Sequence, residues 1–199
     1  MKKYCQPSLL GICAPHYFLH DTVNSNRFIV MEYLNEDLTD VICQHQQPRD
    51  PVIQRLVIGM FDAMQAVHEK TGHIHRDLKP ANFRLHKDKV YITDFGLVRP
   101  WYATGQHVPF LKNCPLEGTL TFASMWTHEG VSQSRRDDLE MLGYSILQLL
   151  GPDPKKDFWP ALQPGLSLTE LNLYYYQKKV LLLNNDKTPR YEQTINFIR

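Results

Sequence analysis

Apolar residues first gather in two short runs, "HYFLHDTV" from His16 and "RFIVMEYL" from Arg27, separated by Asn24, Ser25 and Asn26. Strand-like runs around a turn-forming triplet predict an antiparallel hairpin over residues 16–34. The period then changes. Ile53, Leu56, Val57, Met60, Phe61, Met64 and Val67 recur at helical spacing, with Asp50 as the cap, Pro51 at the first helical position and Gly72 as the stop. Methionines at that spacing are read as core filling rather than as a cofactor stripe. "FRLH" and "VYIT" around Lys87-Asp88-Lys89 predict a second hairpin, which runs into Asp94-Phe95-Gly96.

From 97 to 131 prolines and glycines recur without periodicity, so an irregular segment is expected, of a length that is usually functional. "RRDDLEMLGYSILQLLG" restores the helical period through Leu139, Leu142, Ile146, Leu149 and Leu150. It is apolar around much of its circumference, which predicts a buried central helix ending at Gly151-Pro152. Ser167 and Glu170 form a capping-box pattern before a helix over Leu171 to Leu183, and a short helix follows from Tyr191.

Composition narrows the partners. The 199 residues suit one domain, and 43% apolar with 22% charged is ordinary for a folded chain. The net charge of +1 offers no basic excess for nucleic acid or an anionic membrane, so neither is expected as a partner. Cys5, Cys13, Cys43 and Cys114 have neither zinc nor disulfide-framework spacing. Lys2-Lys3 before "SLLGICA" faintly resembles a secretion signal, but Pro7, Pro15 and His16 break the run. No apolar stretch reaches the roughly 20 residues of a membrane span. An intracellular protein of the cytoplasm or nucleus is expected. His16 and His20, four apart on a strand, lie too far apart for a metal pair and are read as structural.

The candidate chemistry lies in "HRDLKPAN" and "DFG", separated by the second hairpin. Phosphoryl transfer needs a carboxylate to receive a hydroxyl proton, oxygen donors for magnesium and positive charge beside the phosphate. Asp77, Lys79, Asn82 and Asp94 supply that set. In order and spacing the two stretches resemble the catalytic and magnesium loops of protein kinases. "HVPFLKNCPLEGTLTFASMWTHEGVSQSRRDDLEMLGYSILQLL" is similar to the casein kinase and vaccinia-related kinase group, in which the central helix begins "SRRDDLE". The resemblance runs from about Tyr17 to Leu150 and, more faintly, through "DKTPRY".

The resemblance implies an α+β, protein-kinase-like fold: a mainly helical large lobe over about 35–199, and a remnant of the small-lobe β-sheet over about 1–34, truncated at the N-terminus. It implies ATP and Mg²⁺ as cofactors and proteins as substrates, with Lys79-Pro80 in the serine/threonine form. Asp77 matches the catalytic base, Lys79 the lysine that steadies the phosphate, and Asn82 and Asp94 the magnesium ligands. Thr119 matches the threonine that contacts Asp77 and Lys79. Met31, Glu32, Tyr33 and Leu34 match the gatekeeper and hinge that meet adenine, and Asp138 the central-helix aspartate that accepts hydrogen bonds from the catalytic-loop backbone. His75 is read as a core residue packing that loop, and Arg76 as an anchor of the activation segment.

The departures are as specific as the matches. None of the ten glycines lie two apart, so no Gly-x-Gly-x-x-Gly loop is present, and no lysine between Lys3 and Lys70 supplies the small-lobe ion pair. Arg84 stands where the family generally has an apolar floor under adenine; it would stack on the base or fill the slot. Leu120-Thr121 replaces the arginine that in casein kinases helps select acidic substrates. Two further expectations follow: a truncated pseudokinase that binds proteins without phosphoryl transfer, and a partner chain that covers the open cleft.

Overall fold

In the computed structural model residues 13–45, 50–103, 105–151, 153, 159, 165–185 and 192–198 are described. The secretion-like start, Pro152 and "DKTPRY" lie outside them. Strands β1 (Tyr17–Val23) and β2 (Asn26–Met31) pair antiparallel from Val23 opposite Asn26 to Tyr17 opposite Met31, with an irregularity between Tyr17 and Leu19. Asn24 and Ser25 both take positive φ, the two-residue turn whose twist suits a hairpin. The hairpin is almost wholly exposed, leaving Phe18, Leu19, Phe28, Ile29 and Val30 in solvent.

After β3 (Glu36–Asp37), Asp37 accepts from the Thr39 amide and caps α1 (Leu38–Gln44). Helix α2 (Pro51–Thr71) begins and ends as its sequence predicts. Asp50 accepts from the Val52 amide, and Gly72 closes the helix at φ +68°, where an L side chain would be strained. The order continues through β4 (His73–Ile74), β5 (Phe83–His86), β6 (Lys89–Ile92), β7 (Arg99–Pro100), β8 (Tyr102–Ala103) and β9 (Gln106–His107). Helices α3 (Met125–His128), α4 (Arg135–Leu149), α5 (Leu168–Asn185) and α6 (Glu192–Ile198) complete it. Strands β3, β5 and β6 form one sheet in that order, β4 pairs with β7, and β8 with β9.

Segment 97–131, expected to be irregular, thus holds a two-residue strand, a minimal hairpin and one turn of helix. Strands of two residues are too short to show a period, which is why the sequence pattern missed them.

Two apolar clusters position the rest. Leu56, Met60, Met64 and Val67 of α2 pack on Leu78, Phe83, Ile92 and on Met141, Leu142 and Ile146 of α4. Tyr144 and Leu147, from another side of α4, pack with Phe122, Trp159, Tyr175 and Leu182. Helix α4 therefore belongs to both clusters, which explains its apolar circumference. Gly143 lets α6 close on it: a Cβ there would stand 2.4 Å from Ile198 Cγ1. No helix among the described residues is long and apolar enough to cross a membrane.

Candidate active site

A buried carboxylate organises the loop that joins β4 to β5. Asp138, in the first turn of α4, accepts from the His75 amide at 2.7 Å and the Arg76 amide at 2.8 Å. His68 of α2 donates Nε2–H to the same group at 2.7 Å. Three donors satisfy an anion that would otherwise be costly to bury. The loop can then take a turn that its residues would not choose: Arg76 sits at φ +74°, uncommon for any residue that carries a Cβ. Its guanidinium donates to the Leu97 carbonyl and to Gln133, and pairs with Glu117. Residues on both sides of the irregular segment are thereby tied to one side chain, an anchor in the sense the sequence suggested.

His75 is fully buried, with Nε2 at 3.0 Å from the Thr93 carbonyl and its ring edge-on to Phe95. Burial pulls its pKa below the ordinary histidine value, against the opposing charge of Asp138, so the ring is neutral packing.

With the loop fixed, Asp77, Lys79 and Thr119 meet. Lys79 Nζ donates to Asp77 Oδ2 at 2.8 Å and to Thr119 Oγ1 at 2.9 Å. The Thr119 amide donates to the other Asp77 oxygen at 2.8 Å. Burial alone would raise the Asp77 pKa, but the hydrogen bonds and charge of Lys79, with those of Thr119, outweigh it and hold the carboxyl below its ordinary value. Gly118 makes the approach of Thr119 feasible. Its φ is +93°, and a Cβ there would lie 2.6 Å from the Arg76 carbonyl oxygen.

Asn82 is buried and donates Nδ2–H to the Asp77 carbonyl at 2.8 Å, leaving Oδ1 as the amide's lone-pair donor. The Asn82 carbonyl accepts from the amide of Thr93, and Asp94 follows at once. Asp94 is exposed, in the left-handed conformation at φ +61°, with Oδ1 facing the Gly96 amide at 3.4 Å. An amide and a carboxylate oxygen are hard donors suited to magnesium, which keeps several waters or phosphate oxygens beside one or two protein ligands. Among the described residues no group of three or more His, Cys, Asp or Glu side chains is set to hold a metal without such help.

The residues expected on the adenine side are placed differently from one another. Leu34 is buried, while Met31 is exposed at the end of β2 opposite Tyr17. The Glu32 amide donates to the His16 carbonyl at 2.7 Å, its carboxylate accepts from the His16 amide, and its other oxygen lies 3.7 Å from His86 Nε2. Arg84 neither stands free nor lies in the core. Its NH1 donates to Asp37 Oδ2 at 2.9 Å, on the face of β5 whose cross-strand partner is Tyr91. The sequence reading missed Asp37, His68 and Glu117 as partners, because each is joined to its mate only by folding.

An aspartate, a lysine and a threonine locked together beside two oxygen donors, on an α+β scaffold, define a candidate phosphoryl-transfer site. The protein kinase domain model matches residues 10–125. A probable casein kinase I homolog of Encephalitozoon cuniculi is 33% identical over 161 residues, covering 78% of this chain and 48% of that protein. B1 kinase of vaccinia virus (strain Western Reserve) and of monkeypox virus is 36% identical over 141 residues, 67% of this chain and 46% of theirs. The chain belongs to the protein kinase family, in its casein kinase and vaccinia-related kinase group. It spans about half the length of these curated relatives.

Proposed function

We propose that the protein is a serine/threonine protein kinase, transferring the terminal phosphoryl group of ATP to a Ser or Thr hydroxyl of a protein substrate. The observation that carries this reading is the closed triangle of Asp77, Lys79 and Thr119. Asp77, ionised at neutral pH, orients the incoming hydroxyl and receives its proton. Lys79 holds that carboxylate in place and sets an ammonium where charge develops on the transferring group. Thr119 fixes both from the side on which the substrate segment would lie. Asn82 and Asp94 would hold Mg²⁺, which would offset the negative charge of the ATP phosphates, and ATP would supply the phosphoryl group. In this reading residues 1–34 belong to a small lobe and 35–199 to the large lobe.

The test is transfer of labelled phosphate from Mg-ATP to mixed protein substrates, followed by phosphoamino-acid analysis, beside Asp77→Asn. Phosphoserine or phosphothreonine formed by the parent chain and lost in the variant is expected. Phosphotyrosine, or no transfer by a chain that binds Mg-ATP, would overturn the reading.

One feature supports a second reading, a protein-binding module without transfer: the exposed apolar hairpin β1–β2, together with the Arg84–Asp37 pair beside the hinge. An open strand edge with apolar faces recruits a covering chain. Mg-ATP that leaves thermal unfolding unchanged in the parent chain would favour this module over the enzyme.

A further inference from the structure

Lys179, on α5, is fully buried and far in sequence from Asp77, Lys79, Asn82 and Asp94. Burial pulls its pKa well below the ordinary lysine value; against that, the three N–H donors of its charged form meet three acceptors: the Leu120 carbonyl at 3.0 Å, the Ala123 carbonyl at 2.5 Å and His128 Nε2 at 2.8 Å. Tyr144 and Tyr175 present their rings 4.7 and 5.9 Å away, which favours a cation. Among the described residues no carboxylate pairs with it directly. Glu140 is engaged with the Met125 amide and the Tyr144 hydroxyl.

The third acceptor is itself set by its neighbours. Asn172 donates Nδ2–H to the His128 carbonyl at 3.1 Å, which turns its Oδ1 toward His128 Nδ1 at 2.5 Å. Nδ1 therefore carries the proton, and Nε2 is left to accept from Lys179. All three acceptors belong to the stretch that begins at Thr119, whose own amide and hydroxyl close on Asp77 and Lys79.

We propose that Lys179 is a positioning residue that holds segment 119–128 in the shape that keeps Thr119 on Asp77 and Lys79 and shapes the bed for the substrate chain. Packing does not require an ammonium here, since a methionine fills similar space and apolar replacements of buried ions are often neutral or stabilising. What an apolar side chain cannot do is gather two carbonyls and an imidazole at one point. The consequence for substrate binding rests on the kinase reading; the consequence for the segment does not.

The experiment compares hydrogen exchange in the parent chain, Lys179→Met and Lys179→Gln. Expected for Lys179→Met is a folded protein in which the Phe122 and Ala123 amides exchange about tenfold faster, while those of His75 and Arg76 are unchanged. Lys179→Gln, uncharged but with two N–H donors for the two carbonyls, restores part of that protection. In a transfer assay Lys179→Met raises the KM for protein substrate about tenfold and leaves the KM for ATP alone. Parent-like protection of 119–124 in a folded Lys179→Met overturns the proposal. So does a loss of protection spread over the whole chain in both variants, because Lys179 would then hold the core rather than the segment. A parent chain that binds Mg-ATP and transfers no phosphate refutes the kinase reading, and the exchange data still decide the role of Lys179.

Discussion

The guanidinium of Arg84 lies 2.9 Å from Asp37 Oδ2, joining β3 and the start of α1 to the strand that follows Asn82. Neither side chain is deeply buried, so the pair adds only about 0.2–1 kcal/mol to stability. Its effect is expected on ligand binding. It commits to Asp37 a group that stands where the resemblance to kinases led us to expect an apolar residue. Arg84→Leu should melt within about 4 °C of the parent and show a larger thermal shift with Mg-ATP. An equal or smaller shift in titrations of both proteins would show that the pair does not obstruct nucleotide.

Asp138 should be the most costly of the site carboxylates to remove. Asp138→Ala leaves His68 and two loop amides without a buried acceptor, a loss of about 3–5 kcal/mol. For a chain of this size that corresponds to a fall of about 6–20 °C in Tm. Calorimetry gives the fall, and hydrogen exchange should locate the opening at His75 and Arg76.

Asp77→Asn should fold normally and lose about 100- to 10,000-fold in kcat, the range for loss of a positioned general base. The native Asp77 pKa lies below its ordinary 3.8. Its contribution to stability is therefore present above that value and disappears as pH falls through the lower native one. Acid unfolding curves of parent and variant should converge below about pH 4. Curves that stay parallel well below pH 4 would remove the charge from the account.

Gly118→Ala places a methyl against the Arg76 carbonyl at a φ that disfavours side chains. It should cost more than about 1 kcal/mol and weaken protection of the Thr119 amide. A variant as stable as the parent would mean the turn can shift without disturbing Asp77.

His128 predicts a second pH effect, at milder acidity. Burial, then the charge of Lys179, push its pKa down from 6.5 to about 4, with the Asn172 hydrogen bond opposing them. Tyr176, on the helix that carries Lys179, packs edge-on to its ring, and the Glu140 charge acts on Lys179. The unfolded chain takes up this proton first, so stability is full above pH 6.5 and falls toward pH 4, by up to about 1.4 kcal/mol per pH unit. The difference in unfolding free energy between parent and His128→Gln should follow that slope. A pH-independent difference would refute it.

The β1–β2 hairpin should be the least protected part of the described chain, since it buries almost nothing. Its amides should exchange early, and an apolar dye should bind until Phe28→Ser and Ile29→Thr are introduced together. A monodisperse monomer without dye binding would argue against a covering partner.

Much of this architecture was legible in residue order. Local rules were enough for the ends of α2, since Asp50, Pro51 and Gly72 act within one turn of the chain, and for the hairpins, whose turns need residues that tolerate positive φ. The buried character of α4 showed in its apolar circumference. Asp77, Lys79, Asn82 and Asp94 could be picked out because the chemistry needs those groups at close spacing along one loop and hairpin. Arg84 stood out as an anomaly, but not its answer in Asp37, 47 residues upstream.

The sequence by itself determined the longer helices, the two longer hairpins, the kinase-like motifs and the absence of a glycine-rich loop within these 199 residues. The resemblance implied Asp138 beneath the loop amides and Thr119 on Asp77 and Lys79; only the tertiary structure decided His68 on Asp138, Glu117 on Arg76, Arg84 on Asp37, and Lys179 beneath Leu120 and Ala123. The reason is physical. Periodicity and capping arise from neighbours a few residues apart, whereas a buried charge takes its partners from whatever elements the fold brings within about 3 Å, and no local pattern records that choice.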